Sequence, residues 1–268
     1  MTDTSRRHFE TQGVAYARYR PTYPPALAAF LAGLAPDSER AVDVGCGTGQ
    51  LSVLLADHFA AVDACDVSEE QVANARPHPK VRYRLAPAEA LPVDAACASL
   101  VTAAQAAHWF DLPAFYEEVR RIAKPGAALA LLSYGNCAVE GPLGERFKAF
   151  YAVDLSPFWP PERLIVERGY VDLPFPFDEL EAPAMTIERD WSLPALIGYV
   201  ETWSATKRAR AAGGGATVEA FAAEARALWG DPEIRHRVAW PVHMRLGRLP
   251  ERPADARWSG RRPRIDRG

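Results

Sequence analysis

Cysteine is scarce in this chain: four residues, at 46, 65, 97 and 137, none in a Cys-x-x-Cys pair. Such spacing supports neither a zinc cluster nor a disulfide framework, and single cysteines within apolar runs are ordinarily small buried hydrophobes. Long apolar runs are also missing. Stretches such as Ala127 to Leu132 end after six residues, far below the roughly 18 that a membrane span requires. The segment from Met1 to Glu10 is polar and lacks a signal-peptide core. Nor is there an excess of one charge: 31 Lys and Arg against 34 Asp and Glu leave a net charge of -3, without the basic surplus that draws a protein to nucleic acid. The expectations are a cytoplasmic chain, monomeric or weakly dimeric, with no metal, membrane or nucleic-acid partner. What is present is a core: 49% of the 268 residues are apolar and 24% charged, which excludes disorder and collagen and favours an enzyme or a small-ligand binder.

Short apolar segments alternate in type along the chain. Leu27, Phe30, Leu31 and Leu34 recur at helical spacing, and Ala41 to Val44 then reads as a buried strand running into glycines. Leu51, Leu54, Leu55 and His58 return to the helical period, and Val62 to Val67 is strand-like. Ser68 followed by Glu69, Glu70 and Gln71 marks a capped helix start, stopped by Pro77 and Pro79. Val81 to Leu85 alternates as a strand with one wetter face, and Ala98 to Ala103 is another. Pro113 opens a helix carrying Phe115, Tyr116, Val119 and Ile122; a Lys124-Pro125-Gly126 turn closes it, and Ala127 to Ser133 is a fifth strand. Strands separated by helices require crossover connections, so an open, parallel, doubly wound α/β sheet is predicted.

From Gly135 to Pro183 the text becomes proline-rich and aromatic without a clean period, as for an inserted lid. Met185 to Trp191 predicts a strand, Ser192 a cap for a helix through Trp203, Thr217 to Trp229 a second helix, and Val238 to Leu246 a last strand. Pro241 calls for a bulge or break if that strand is internal. Gly247 to Gly268 holds seven arginines against three acids and predicts a basic, mobile tail. The predicted organisation is one domain over 1–249, with a cap at 9–35, a core at 36–134, a lid at 135–183 and late strands and helices at 184–249; the tail is 250–268.

The strongest local signal is Val42-Asp43-Val44-Gly45-Cys46-Gly47-Thr48-Gly49, a strand running directly into three glycines that let a ligand approach the backbone. A dinucleotide fingerprint needs a glycine at position 50, where this chain has Gln, so NAD and FAD are disfavoured. Asp66 ends the second strand, where a carboxylate can accept two hydroxyl hydrogen bonds.

This glycine spacing resembles motif I of the class I S-adenosylmethionine-dependent methyltransferases of the type 11 domain. Ala103 to Asp111, with its His108-Trp109 pair, is similar to the yeast-type trans-aconitate methyltransferases. So are Tyr16, Tyr19, Arg20, Pro21, Tyr23 and Pro24, Phe158-Trp159, and Tyr199 to Ser204. The resemblance spans Phe9 to Leu249 and implies a Rossmann-like, seven-stranded, mostly parallel sheet. It implies S-adenosylmethionine as cofactor, leaving as S-adenosylhomocysteine, with Tyr19, Arg20, Asp43, Gly45, Cys46, Gly47, Gly49, Leu51, Asp66, Val67, Ala88, Glu89 and Gln105 around it. Gln105 replaces an acid of the yeast-type enzyme and leaves the methionyl amine to the backbone carbonyl there. The acceptor is expected to be a small molecule, a carboxylic acid like trans-aconitate, near His108, Trp109, Tyr134, Trp159 and Trp203, with His108 and Trp109 as catalytic candidates. A carboxylate needs no general base, whereas a hydroxyl would turn to His108. Other readings stay open: a quinone or natural-product O-methyltransferase, or a protein that binds the cofactor without turnover. Arg163, Arg189 and Arg235 could each grip a carboxylate, or be merely solvated.

Overall fold

In a computed structural model, Tyr19 and residues 21–251 are described. Tyr16, Arg20 and the predicted tail after Glu251 lie outside the described residues. The chain alternates as expected. Helix α1 (Pro25–Leu34) leads into β1 (Arg40–Val44), then α2 (Ser52–Leu55), β2 (Ala61–Asp66), α3 (Glu69–Ala73), β3 (Val81–Leu85), β4 (Ala98–Ala104), α4 (Leu112–Ile122) and β5 (Ala123–Tyr134). Parallel pairing in the order β3-β2-β1-β4-β5 builds the first half of the sheet. The lid follows, with β6 (Ala138–Val139), α5 (Gly144–Ala149), α6 (Glu162–Glu167) and β7 (Asp178–Leu180). Then come β8 (Met185–Trp191), α7 (Leu193–Glu201), α8 (Ser204–Ala211), α9 (Gly215–Trp229) and β9 (His236–Arg248). β9 lies antiparallel to β5 and carries β6, β7 and β8 along itself. The seven predicted strands are β1 to β5, β8 and β9; the lid adds β6 and β7, of two and three residues, to make nine.

Period-2 alternation sorts the core. Leu100, Ala128, Ala130 and Leu132 pack on one face of the sheet with Leu27, Leu31 and Leu55 of α1 and α2. Val101, Ala103, Leu129 and Leu131 pack on the other with Phe115, Val119 and Ile122 of α4. From β1 the chain winds outward to β2 and β3 on one side, and β4 and β5 fill the other. The carboxyl ends of β1 and β4 therefore diverge into a crevice, where open α/β sheets bind ligands.

Four local expectations need correction. Pro125-Gly126 is no turn between elements but an irregularity inside β5: Gly126 takes φ +72°, and the register against β4 shifts between Ala98 and Leu100. Pro241 produces no bulge although β9 is internal, because Thr186 faces it in unbroken register. The neighbour breaks instead. On the other flank β9 changes partner from β6 at Ala239 to β5 at Val242, so a missing ladder N–H is tolerated there. The helix after Ser192 stops at Glu201, where the Thr202 hydroxyl donates to the Tyr199 carbonyl, and Ser192 makes no side-chain cap bond. Ser68, by contrast, does cap α3 by accepting from Gln71 N–H at 3.3 Å.

Candidate functional site

A cleft of about 390 Å³ opens at the carboxyl ends of β1, β2 and β4. It collects Asp43, Gly45, Cys46, Gly47, Leu51, Asp66, Val67, Ala88, Gln105, Trp109 and Tyr134 from the sequence-predicted set. Tyr23, Thr48, Gln71 and Phe110 join them; each stands within a stretch noted in the sequence, Tyr23 before Pro24, Thr48 in the glycine loop, Gln71 in the capped helix start and Phe110 after the His-Trp pair, but none was expected at the site.

The floor is the glycine loop. Gly45 and Cys46 donate to the Cys65 carbonyl at 2.8 and 3.0 Å, tying β1's exit to the end of β2. Gly45 has φ +67°, and a Cβ there would stand 2.5 Å from Ala106 Cβ, so only glycine lets the two loops meet. Asp66 then locks the loop: one carboxylate oxygen accepts from Gly47 N–H at 2.8 Å and the other from Ser68 N–H at 2.9 Å. Each oxygen has two lone pairs, so each keeps one for a ligand.

Asp43 is buried beneath the loop and accepts from Ser52 Oγ at 2.6 Å and Thr102 Oγ1 at 2.8 Å. Burial pushes its carboxyl up to about 6 against the two hydroxyl bonds, and the neighbouring Asp66 adds to the rise. A buried acid whose pKa rises on folding binds more protons folded than unfolded, so it costs stability as pH climbs from about 4 to 6. Asp43→Asn should therefore gain melting temperature relative to the parent chain over that window, on the order of 5 °C, and hold the gain above it. Calorimetric scans of both chains from pH 4 to 8 measure the difference; a constant offset would contradict it. Cys46 is likewise pushed up by burial, so it stays a thiol and offers no nucleophile.

Gln105, at φ +57°, turns its side chain into the cleft. Its Nε2 donates to the Tyr134 carbonyl at 2.9 Å, while its Oε1 is buried and has no hydrogen-bond partner. A buried orphan acceptor costs free energy unless a donor arrives. Two apolar side chains stand open along the walls: Val67 is 71% exposed and Trp109 67%. Together these make a floor of backbone, two carboxylates, an acceptor awaiting a proton donor, and flat apolar walls, which suits a ligand with a polar amino-acid end and an aromatic base.

Other predicted residues sit elsewhere. Gly49 packs beneath Tyr83, outside the cleft lining. Glu89 accepts from Asp111 N–H at 2.9 Å and braces the entry to α4. Tyr19 lies with its ring on Gly198 of α7. Trp203 is buried among Phe147, Phe150, Tyr151 and Tyr199, and Trp159 spends its indole N–H on the Tyr151 carbonyl at 3.0 Å. His108 stands beside the cleft, its ring against Trp109 and its Nδ1 2.9 Å from the Tyr170 hydroxyl. Arg189 is taken by Thr22 and the Glu188 carbonyl, and Arg235 by the Asp190 carbonyl. Among the described residues no helix is long and apolar enough to cross a membrane.

Residues 42–131 match the methyltransferase domain family, the stretch that carries the glycine loop, Asp66 and the His-Trp turn. A Dictyostelium discoideum protein assigned as a methyltransferase is 32% identical over 194 residues, 71% of this chain and 74% of that one. The chain belongs to the class I S-adenosylmethionine-dependent methyltransferases. A solved structure assigned as a type II methyltransferase, from Anaeromyxobacter dehalogenans, is 45% identical to this methyltransferase with a TM-score of 0.83, covering 87% of this chain and 99% of that one. A malonyl-[acyl-carrier protein] O-methyltransferase of Pectobacterium atrosepticum is 33% identical over 115 residues, 42% of this chain and 44% of its own.

Proposed function

We propose that this methyltransferase passes a methyl group from S-adenosylmethionine to the carboxylate of a small organic acid, the chemistry of the trans-aconitate methyltransferases. Asp66 would accept the two ribose hydroxyls on its remaining lone pairs. Val67 and Ala88 would border the adenine, and the orphan Gln105 Oε1 would accept from the methionyl ammonium. This refines the expectation that the backbone carbonyl at 105 does that work alone. A cationic ligand above Asp43 would also favour its ionised form.

Bound S-adenosylmethionine supplies a methyl carbon on an already activated leaving group. The chain's task is then to align a carboxylate oxygen with that carbon and keep water out, a contribution worth effective molarities of roughly 10⁵–10⁸ M. The new bond is oxygen to carbon, the broken one carbon to sulfur, and its electron pair leaves as a thioether; no proton moves.

The observation that carries the carboxylate reading is the lack of a base in the cleft. Among the described lining residues there is no imidazole, His108 standing just outside with its Nδ1 on the Tyr170 hydroxyl, and both carboxylates are engaged, Asp43 by two hydroxyls and Asp66 by two backbone N–H groups. Trp109, Phe110, Tyr134 and Tyr23 wall the remaining end. A phenol or alcohol acceptor would need a proton removed there; a carboxylate is already ionised at pH 7. The partial relative that acts on a malonyl group is consistent with this. A screen with radiolabelled donor over small acids, phenols and thiols tests it. Acids are expected to be methylated at a rate that does not rise with pH between about 6 and 9. Preferential labelling of a phenol, at a rate rising through that range, would contradict it.

A further inference from the structure

Tyr170 is fully buried yet takes φ +65°, directly after Gly169 at φ +66°. The left-handed region is unfavourable for a bulky side chain, and such strain persists only where surrounding bonds impose it. Here they do. Tyr170 N–H donates to the Ile165 carbonyl at 3.0 Å, and Arg245 Nη1 donates to the Tyr170 carbonyl at 3.0 Å. The result aims the phenol at the turn after β4 that carries His108 and Trp109.

We propose that Tyr170 holds His108 in the tautomer whose proton is on Nε2, so that the imidazole serves the acceptor as a hydrogen-bond donor and not as a base. The inference rests on the carboxylate reading above and names the specificity residues of that site. A buried phenol hydroxyl has one proton to place, and among the described residues its hydrogen-bond partner is His108 Nδ1 at 2.9 Å. Nδ1 must then be bare, which leaves the neutral ring's proton on Nε2. Burial pushes the Tyr170 hydroxyl up, so its proton stays in place. Burial also pushes His108 down to about 4; the cation of Arg163 on α6 acts in the same direction and Glu162 opposes it, so the ring is neutral at pH 7.

Nε2 makes no hydrogen bond within the described residues and is not among their sealed polar atoms, so it is open to a ligand. It belongs to the residue just before Trp109, whose ring it touches and which lines the cleft, so His108 stands at the cleft's edge. An incoming carboxylate must exchange water for donors, and an Nε2–H supplies one; the nearby Arg163 is already paired with Glu167 at 3.2 Å and is not needed for it. A phenol would require a lone pair on that nitrogen, and the tautomer removes it.

Nitrogen-15 NMR of uniformly labelled protein reads the tautomer without any acceptor. The chain has six histidines, and His108→Gln identifies the signal. The expected spectrum has His108 Nδ1 unprotonated and Nε2 protonated from about pH 5.5 to 8.5. In Tyr170→Phe the Nδ1–H form should appear and the ring should begin to titrate at higher pH. A proton on Nδ1 in the unaltered chain, or a Tyr170→Phe spectrum identical to it, overturns the assignment. With a methylated acid in hand, Tyr170→Phe should raise its KM about tenfold with a smaller change in kcat. His108→Gln, which can place an amide N–H near the Nε2 position, should lose less than His108→Asn; the reverse order would contradict donation from Nε2. Should the tautomer be as expected while no acid is methylated, the acceptor class fails and the ring assignment stands.

Discussion

Replacing Asp66 by alanine is expected to weaken S-adenosylhomocysteine binding by about 2–3 kcal/mol, roughly 30- to 150-fold in Kd. Two losses combine. The ribose hydroxyls would lose their acceptor, and Gly47 N–H, now held at 2.8 Å, would lose the carboxylate that sets the glycine loop. Asp66→Asn keeps one carbonyl oxygen and should fall between the two chains. Titration calorimetry with each protein provides the comparison, after circular dichroism shows the fold retained. An alanine variant that binds within twofold of the unaltered chain would show that the sugar lies elsewhere.

Gly49→Ala should produce the other large effect, and on folding more than on binding. Gly49 sits at φ +77°, and an added Cβ would lie 2.0 Å from Tyr83 Oη and 2.7 Å from its ring. Tyr83 cannot retreat freely, because its hydroxyl donates to the Arg76 carbonyl at 2.7 Å. Left-handed strain of about 1 kcal/mol and overpacking of about 1–3 kcal/mol together predict a loss of roughly 3 kcal/mol. Urea unfolding measures it. In the double variant Gly49→Ala with Tyr83→Ala the steric part should be relieved, giving a coupling of about 1–2 kcal/mol. Strict additivity would mean that the ring gives way without cost.

The sheet's first half was legible because Ala41 to Val44, Val62 to Val67 and Ala98 to Ala103 are short apolar runs that sit between helical periods, a pattern local enough to survive tertiary context. Pro125 and Pro241 misled because a proline reports only its own missing N–H; whether a partner waited for it depends on neighbours far along the chain. In the site, Gly45 and Asp66 were readable from their positions at strand ends, and both line the cleft. Gly49 belongs to the same motif, yet its reason is Tyr83 on β3, a packing contact that spacing cannot reveal. Trp203 and Trp159 looked like substrate walls, but composition does not say whether an indole faces a ligand or another ring, and here Trp159 of the lid packs on Tyr151 and on Trp203. The turn of Gln105 into the cleft and the Tyr170 clamp both arise at non-glycine residues with positive φ, for which sequence offers no signal.

A crystal structure with S-adenosylhomocysteine bound is the most direct trial of the donor site. The ribose hydroxyls should lie within about 3 Å of the Asp66 carboxylate, and the amino group within the same distance of Gln105 Oε1. A nucleoside seated away from the glycine loop, or with its sugar turned from Asp66, would contradict the proposed binding mode.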